Sequence, residues 1–397
     1  MNITITPGKL RGAIQAIPSK SQAHRALVCA AFADAPTAIA LAGTNADMDA
    51  TARCLNALGA EITRTAFGYQ VNPASQVPER ADLYPGESGS TLRFLLPVVG
   101  ALGVDAPFHL EGRLGKRPLS PLREEMERMG CRLSQTDHHT LHCSGMLRSG
   151  DYRMAGNVSS QYFTGLLLAG PLMEGCRVEV TGILESRPYV DMTLDMLHTF
   201  GVKTEGMSIP AGSRFTSPGK LQIEGDWSNA AFFLTAAALG SPVTVTGLDP
   251  NSSQGDRTVV PLLKQLEQHC TISAADVPDL IPVLSIRAAA GEGAVFTDIS
   301  RLRLKESDRV EAILHMIRSL GGRSEATQHT LTIHGTGLTG GTVDSRNDHR
   351  IAMAAAIAAT VCRREVTILG AEAVNKSDPL FWEEYASLGG NYEQHLR

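Results

Sequence analysis

The chain has no uninterrupted apolar run of the roughly 18 residues that a membrane span requires; the nearest, residues 351 to 362, is mostly alanine. It also has little net charge, −5 with a pI near 6.2, which excludes a broadly basic surface of the kind that holds nucleic acid. The seven cysteines include no Cys-x-x-Cys pair and so read as reduced, buried thiols of a cytoplasmic protein. Residues 1 to 6 alternate like a strand and lack the charged start and apolar core of a secretory signal. There is no Gly-x-x-x-x-Gly-Lys-Ser/Thr loop and no Gly-x-Gly-x-x-Gly after a strand, so ATP and NAD are not indicated, and no Gly-x-Ser-x-Gly elbow marks a serine nucleophile. Residues 137 to 143 contain three histidines and a cysteine. Their alternation suits a hairpin of mixed exposure, and no second cluster follows, so no metal site is expected.

What the chain does have is an unusual helix start. Residues 18 to 33 run from Pro18, Ser19, Lys20 and Ser21 into an apolar stretch with Ala26, Leu27, Ala30 and Ala31 on one face. Ser19 or Ser21 can cap this helix, and Lys20, His24 and Arg25 fall on its first turns. Cations belong by preference at the other end of a helix. Here they join unpaired N–H groups and the positive end of the dipole, an arrangement that a negative ligand would relieve.

The same design recurs. Apolar helices are predicted after Ser88-Gly89-Ser90, Ser159-Ser160-Gln161, Asp226-Trp227-Ser228, Pro278-Asp279 and Asn347-Asp348-His349-Arg350. Steps from Ser21 to Ser90, Ser160 and Ser228 are 69, 70 and 68 residues, and Asp279 to Asp348 is again 69, while Ser228 to Asp279 is only 51. Each apolar helix is followed by an amphipathic one, and five of these end in an apolar residue and glycine, at Gly59, Gly130, Gly201, Gly321 and Gly389. Six strand-helix-strand-helix-strand units of an α/β protein account for nearly the whole chain. The period exceeds that of solenoids, and the length calls for more than one core, so two domains of three units each are expected. The domain change is placed near residues 224 to 226, with the N-terminal strand joining the later units.

Several clusters carry candidate chemistry. Arg113, Lys116 and Arg117 make a basic loop ahead of a helix expected over 121–129, and Asp47 and Asp49 open a helix expected over 50–58 as dipole-favoured caps. Residues 301 to 309 alternate as a strand that turns into a helix at Ser307 or Asp308, which would hold Lys305, Glu306 and Arg309 at one corner. Glu306 reads either as an ion-paired residue or as a general acid or base, and Asp279 as a helix cap or a catalytic acid. Lys376 adds a cation at a further helix start. Serines, lysines and arginines aimed at so many helix starts suit a ligand with more than one phosphate or carboxylate.

Lys20 and Ser21 with Arg25, Ser159-Ser160-Gln161, Lys305-Glu306-Ser307-Asp308-Arg309 and Asn347-Asp348-His349-Arg350, in this order and spacing, resemble the EPSP synthase family of enolpyruvyl transferases. The resemblance spans the chain. It implies a two-domain inside-out α/β barrel with three repeats per domain, residues 19–225 forming one domain and 1–18 with 226–397 the other, with a catalytic cleft between them. It implies transfer of the enolpyruvyl group of phosphoenolpyruvate to the 5-hydroxyl of shikimate 3-phosphate, by a monomer without metal or organic cofactor. On the matching positions it implies that Lys20, Ser21, Arg25, Ser159, Ser160, Gln161, Ser186, Asp279 and Lys305 hold shikimate 3-phosphate. Lys20, Gly89, Arg117, Gln161, Arg309, His349, Arg350 and Lys376 would hold phosphoenolpyruvate, and Arg93 would help shape the cleft. Asp279 would act as base and Glu306 as acid, with Lys20 assisting departure of phosphate. Two departures stand out: Glu87-Ser88-Gly89-Ser90-Thr91 replaces a common Asn-Ala-Gly-Thr-Ala, and Arg301 replaces an asparagine of some members. The related UDP-N-acetylglucosamine enolpyruvyl transferases carry a cysteine in the loop matching residues 110 to 117, where this chain has none. A non-catalytic anion-binding repeat protein is the other alternative, disfavoured because Lys20, Asp279 and Glu306 occur together.

Overall fold

The computed structural model describes residues 1–395. It divides into two compact units, one of residues 18–224 and the other of residues 1–17 together with the chain from Gly225 on. All six predicted apolar helices are present, and most residues of each are buried. Lys20–Ala31, Gly89–Leu102 and Ser160–Ala169 lie in the core of the first unit, and Trp227–Ala238, Ile281–Ala290 and His349–Ala358 in that of the second. Every residue of His349–Ala358 is buried, the condition in which a helix apolar all round is stable.

The sheets repeat a single pairing pattern. In the first unit Lys220–Gln222 pairs parallel with Thr37–Ala40, which pairs antiparallel with Gly68–Asn72, itself antiparallel to Glu61–Thr65. Leu83–Gly86, Ala106–Leu110, Thr140–Gly145 and Cys131–Gln135 repeat this order of one parallel and two antiparallel pairings. In the second unit Cys270–Ser273, Ala294–Thr297, Thr330–His334 and Arg323–Ala326 do the same, as do Gly341–Asp344, Val366–Leu369, Asn2–Thr6 and Asn391–His395. Two smaller sheets begin with the same parallel pair, Gly150–Ala155 with Cys176–Thr181 and Val243–Thr246 with Gly12–Gln15.

The glycines expected to end the amphipathic helices all have positive φ, between 77° and 113°. Where the first-unit helices meet, Gly165 lets them touch: a Cβ there would lie 2.3 Å from the carbonyl oxygen of Arg93 and 3.0 Å from the Pro97 ring.

Three local expectations are corrected. Residues 301 to 309 do not form a strand; Ser300–Leu304 is a 3-10 helix, and consecutive burial of Arg301 and Leu302 breaks the alternation a strand needs. The helix expected from Ala50 starts earlier, at Ala46, because the Asn45 side chain accepts from Met48 N and caps it; Asp47 and Asp49 then fall inside its first turn. Lys376 closes the 3-10 helix Ala371–Lys376 instead of opening a helix, the next one being Phe381–Ser387.

Candidate functional site

In the first unit, helix starts gather cations. Ser19 Oγ caps Lys20–Ala31 by accepting from Gln22 N, leaving Lys20 at the first helical position and Ser21 at the second. Lys20 Nζ lies 3.0 Å from Asp47 Oδ2, so the acid read as a dipole cap is the lysine's counter-charge. Arg25 is only 2 % exposed and donates to neutral oxygens alone in its hydrogen bonds: Thr193 Oγ1 at 2.8 Å, the Tyr189 carbonyl at 2.8 Å, the Ser21 carbonyl at 2.6 Å and Thr164 Oγ1 at 3.3 Å. Its guanidinium also sits 5.0 Å from the centre of the Phe94 ring. Burial lowers its pKa to about 10, the mark of a buried cation with weak anionic compensation. Arg25 thus positions the Ser21 backbone, and its own charge adds to the local field.

Ser88 caps Gly89–Leu102, and Gly89 opens it between two guanidinium groups. A Cβ on Gly89 would lie 2.7 Å from NH1 of both Arg93 and Arg117. Arg93 NH1 also reaches Gln161 Oε1 at 3.4 Å, and Gln161 Nε2 donates to Ser90 Oγ at 3.0 Å. Arg117 follows the 3-10 helix Leu114–Lys116, and its Nε is buried without a hydrogen-bond partner among the described residues. Two like charges held this close repel unless an anion joins them. Ser159 caps Ser160–Ala169 through Gln161 N, and Ser160 is buried at the first helical position. Ser186 precedes Arg187–Thr199 in a left-handed conformation, φ 56°, which is costly for a residue with a Cβ and marks a constrained backbone.

In the second unit three cations converge on one carboxylate. Asp279 Oδ1 accepts from Arg309 NH1 and lies 3.3 Å from Lys305 Nζ and 3.4 Å from Arg350 Nε, while its carbonyl accepts from Arg350 NH1 at 3.1 Å. Asp279 is therefore not the cap of the following helix; Leu280 occupies that position, and the carboxylate is committed to the cations. Burial opposes its charge, but Arg350, Lys305 and Arg309 together hold its pKa well below the usual carboxylate range. Burial first, then Arg309 and Arg301, bring the Lys305 ammonium down to about 8 despite Asp279 and Glu306. Glu306 Oε2 accepts from Arg309 NH2 at 2.6 Å. His349 and Arg350 are buried on the first turn of His349–Ala358, and Lys376 Nζ donates to the Asn347 carbonyl at 2.8 Å.

Two acids escaped the sequence reading. Asp348 is fully buried and takes Arg309 Nε at 2.9 Å, Ser307 Oγ at 2.9 Å and Arg350 N at 3.0 Å, so one carboxylate aims one arginine and caps the helix carrying the other. The signal was its place before His349 and Arg350, the ordinary position of a cap. Asp256, in the 3-10 helix Gly255–Thr258, is raised to about 6 by burial and by Asp279; no local pattern announces it. No group of histidine, cysteine and acidic residues suited to a metal occurs among the described residues, and no described helix is long and apolar enough to cross a membrane.

Phosphate- or carboxylate-sized anions are what these helix starts can hold, and paired acids beside the cations give the means to move protons. Fold and site define an α/β protein for the chemistry of small anionic metabolites. The sequence profile of the family described as EPSP synthase (3-phosphoshikimate 1-carboxyvinyltransferase) matches residues 5–385. The 3-phosphoshikimate 1-carboxyvinyltransferase of Clostridium kluyveri is 38 % identical, over 99 % of this chain and 98 % of the relative; that of Clostridium beijerinckii is 35 % identical over the same shares. The structure of EPSP synthase from Acinetobacter baumannii superposes with a TM-score of 0.80 at 26 % identity, covering 99 % of both chains. The chain belongs to the EPSP synthase family.

Proposed function

We propose that the protein transfers the enolpyruvyl group of phosphoenolpyruvate to the 5-hydroxyl of shikimate 3-phosphate, releasing phosphate, as a monomeric cytoplasmic enzyme of aromatic amino acid biosynthesis. The observation that carries this reading is the meeting of Lys305, Arg309 and Arg350 on Asp279, with Glu306 on the same arginine. It supplies anion-binding charge together with two carboxyl groups that can act as base and acid. We assign Lys20, Ser21, Arg25, Ser159, Ser160, Gln161 and Ser186 of the first unit, with Asp279 and Lys305 of the second, to shikimate 3-phosphate. Phosphoenolpyruvate is assigned Lys20, Gly89, Arg117 and Gln161 together with Arg309, His349, Arg350 and Lys376. The six units follow the inside-out barrel plan, three to a domain, a reading that the recurring sheet order supports.

In the addition step the 5-hydroxyl oxygen attacks C2 of phosphoenolpyruvate, Asp279 takes the hydroxyl proton and Glu306 protonates the methylene carbon. The resulting tetrahedral adduct expels phosphate, with Lys20 giving a proton to the departing oxygen; a methyl proton returns to Glu306 as the double bond re-forms, and the proton taken by Asp279 leaves to solvent, from which Lys20 is recharged. Asp279 is a feeble base while three cations surround it. The carboxylate and phosphate of the donor compete for Arg309 and Arg350, and as they draw these away the basicity of Asp279 rises.

Phosphate release from phosphoenolpyruvate, measured with shikimate 3-phosphate or with UDP-N-acetylglucosamine as acceptor, tests the reading. Turnover is expected with the first only; turnover with the second alone would overturn it. Asp279→Asn should bind phosphoenolpyruvate more tightly by calorimetry, about tenfold for one removed competing charge, while losing turnover. Glu306→Gln should cripple turnover and leave shikimate 3-phosphate binding largely intact.

A further inference from the structure

His24 lies one turn beyond Lys20, wholly buried, and takes no part in the chemistry above. Its Nδ1 is 2.7 Å from Thr51 Oγ1, Thr51 Oγ1 is 2.7 Å from Thr91 Oγ1, and Thr91 Oγ1 is 2.8 Å from Ser88 Oγ. These residues sit on the helices Lys20–Ala31, Ala46–Ala57 and Gly89–Leu102 and on the cap of the last. The chain therefore ties together the first turns that carry Lys20, its counter-charge Asp47, and Gly89 with Arg93. The Thr91 hydroxyl is also 3.5 Å from the Asp47 carbonyl.

Proton counting gives the chain a direction. A threonine hydroxyl has one proton, and Thr91 spends its own on Ser88, whose oxygen also accepts from Thr91 N at 3.2 Å. Thr51 must then donate to Thr91. With that proton committed, the contact between Thr51 and His24 closes only if Nδ1 of His24 carries a hydrogen. Nε2 is left as a bare lone pair, and it is indeed buried without a hydrogen-bond partner among the described residues. A positive ring is disfavoured, first by burial and then by Lys20 and Arg25 on the same helix, which hold its pKa well below the usual histidine value.

We propose that His24 is a positioning residue: as the neutral Nδ1–H tautomer it heads a one-way hydrogen-bond chain through Thr51 and Thr91 to Ser88, which sets Lys20 in register with the helix start that carries Gly89 and Arg93. The inference rests on the enolpyruvyl transfer reading for its kinetic consequence, since the two anionic substrates would be held by the parts the chain joins. Misplacing them relative to each other slows the reaction more than it weakens the binding of either.

Two measurements test it. In 15N spectra of histidine-labelled full-length protein at pH 7, with His24 assigned by its loss in His24→Gln, Nδ1 should be protonated and Nε2 bare. An Nε2–H tautomer or an imidazolium overturns the proposal, whichever acceptor the enzyme uses. Thr51→Val keeps the volume of the residue but breaks the chain at its centre. It should lower kcat by about tenfold or more while each KM moves less than about twofold, and Thr51→Ser should restore most of kcat. Unchanged kcat per folded molecule in Thr51→Val overturns the proposal. Failure of the parent enzyme to turn over shikimate 3-phosphate would instead strike at the proposed function, leaving the tautomer result to stand or fall separately.

Discussion

Lys305 shows how a single side chain takes its properties from its surroundings. Its folded pKa of about 8 places its charge within an accessible range, because burial and the neighbouring Arg309 and Arg301 outweigh the attraction of Asp279. A lysine that contacts an anion must be protonated, so kcat/KM for shikimate 3-phosphate should fall as pH rises through about 8, and Lys305→Arg should move that fall to higher pH. Gly89 offers the opposite case, a residue valued for what it lacks. Gly89→Ala would drive a methyl group against the guanidinium groups of Arg93 and Arg117, and it should raise KM for phosphoenolpyruvate well above the change in KM for shikimate 3-phosphate. At this scale the sequence singled out residues more readily than it disclosed their partners. Arg25, Ser160 and Glu306 stood out by their motifs, but that Arg25 bonds to Thr193 and Tyr189, and that Asp47 answers Lys20, depends on partners 27 to 168 residues away.

Helices carry the site because their starts combine a capping side chain, free N–H groups and the positive dipole end, and this much is written locally. Ser19, Ser88, Ser159, Asp226, Asp308 and Asp348 each accept from a backbone N–H as the pattern leads one to expect. The pattern misleads where a side chain has a stronger partner elsewhere, as Asp279 does, and where both faces of a short segment are buried, as at Arg301 and Leu302. Between helices the close approach at Gly165 is decisive. Gly165→Ala sets a methyl group against backbone that cannot yield without separating the helices. It should cost about 1–3 kcal/mol in chemical denaturation, more than the alanine's helix propensity returns.

Across the larger scale of a whole folding unit, buried acids set the response to pH. In the unit formed by residues 1–17 and the chain from Gly225 on, burial raises Asp256 to about 6 and Glu384 to about 7, and Asp378 well above its ordinary value. Folded-state pKa values above those of the unfolded chain mean that the stability these three acids contribute is full below about 4 and is lost as pH rises through about 6 to 7. Thermal unfolding followed between pH 5 and 8 should show this decline, and Glu384→Gln should flatten its upper part. The sequence alone determined the repeat, the six buried helices, the glycine ends of the amphipathic helices and the family, because each is encoded in short-range spacing and local backbone preference. Only the tertiary structure decided that Lys305, Arg309 and Arg350 share Asp279, that Arg93 and Arg117 flank Gly89, and that His24 heads a hydrogen-bond chain. Contacts between residues far apart in the chain arise from how sheets and helices pack, and no local pattern of residues records that packing.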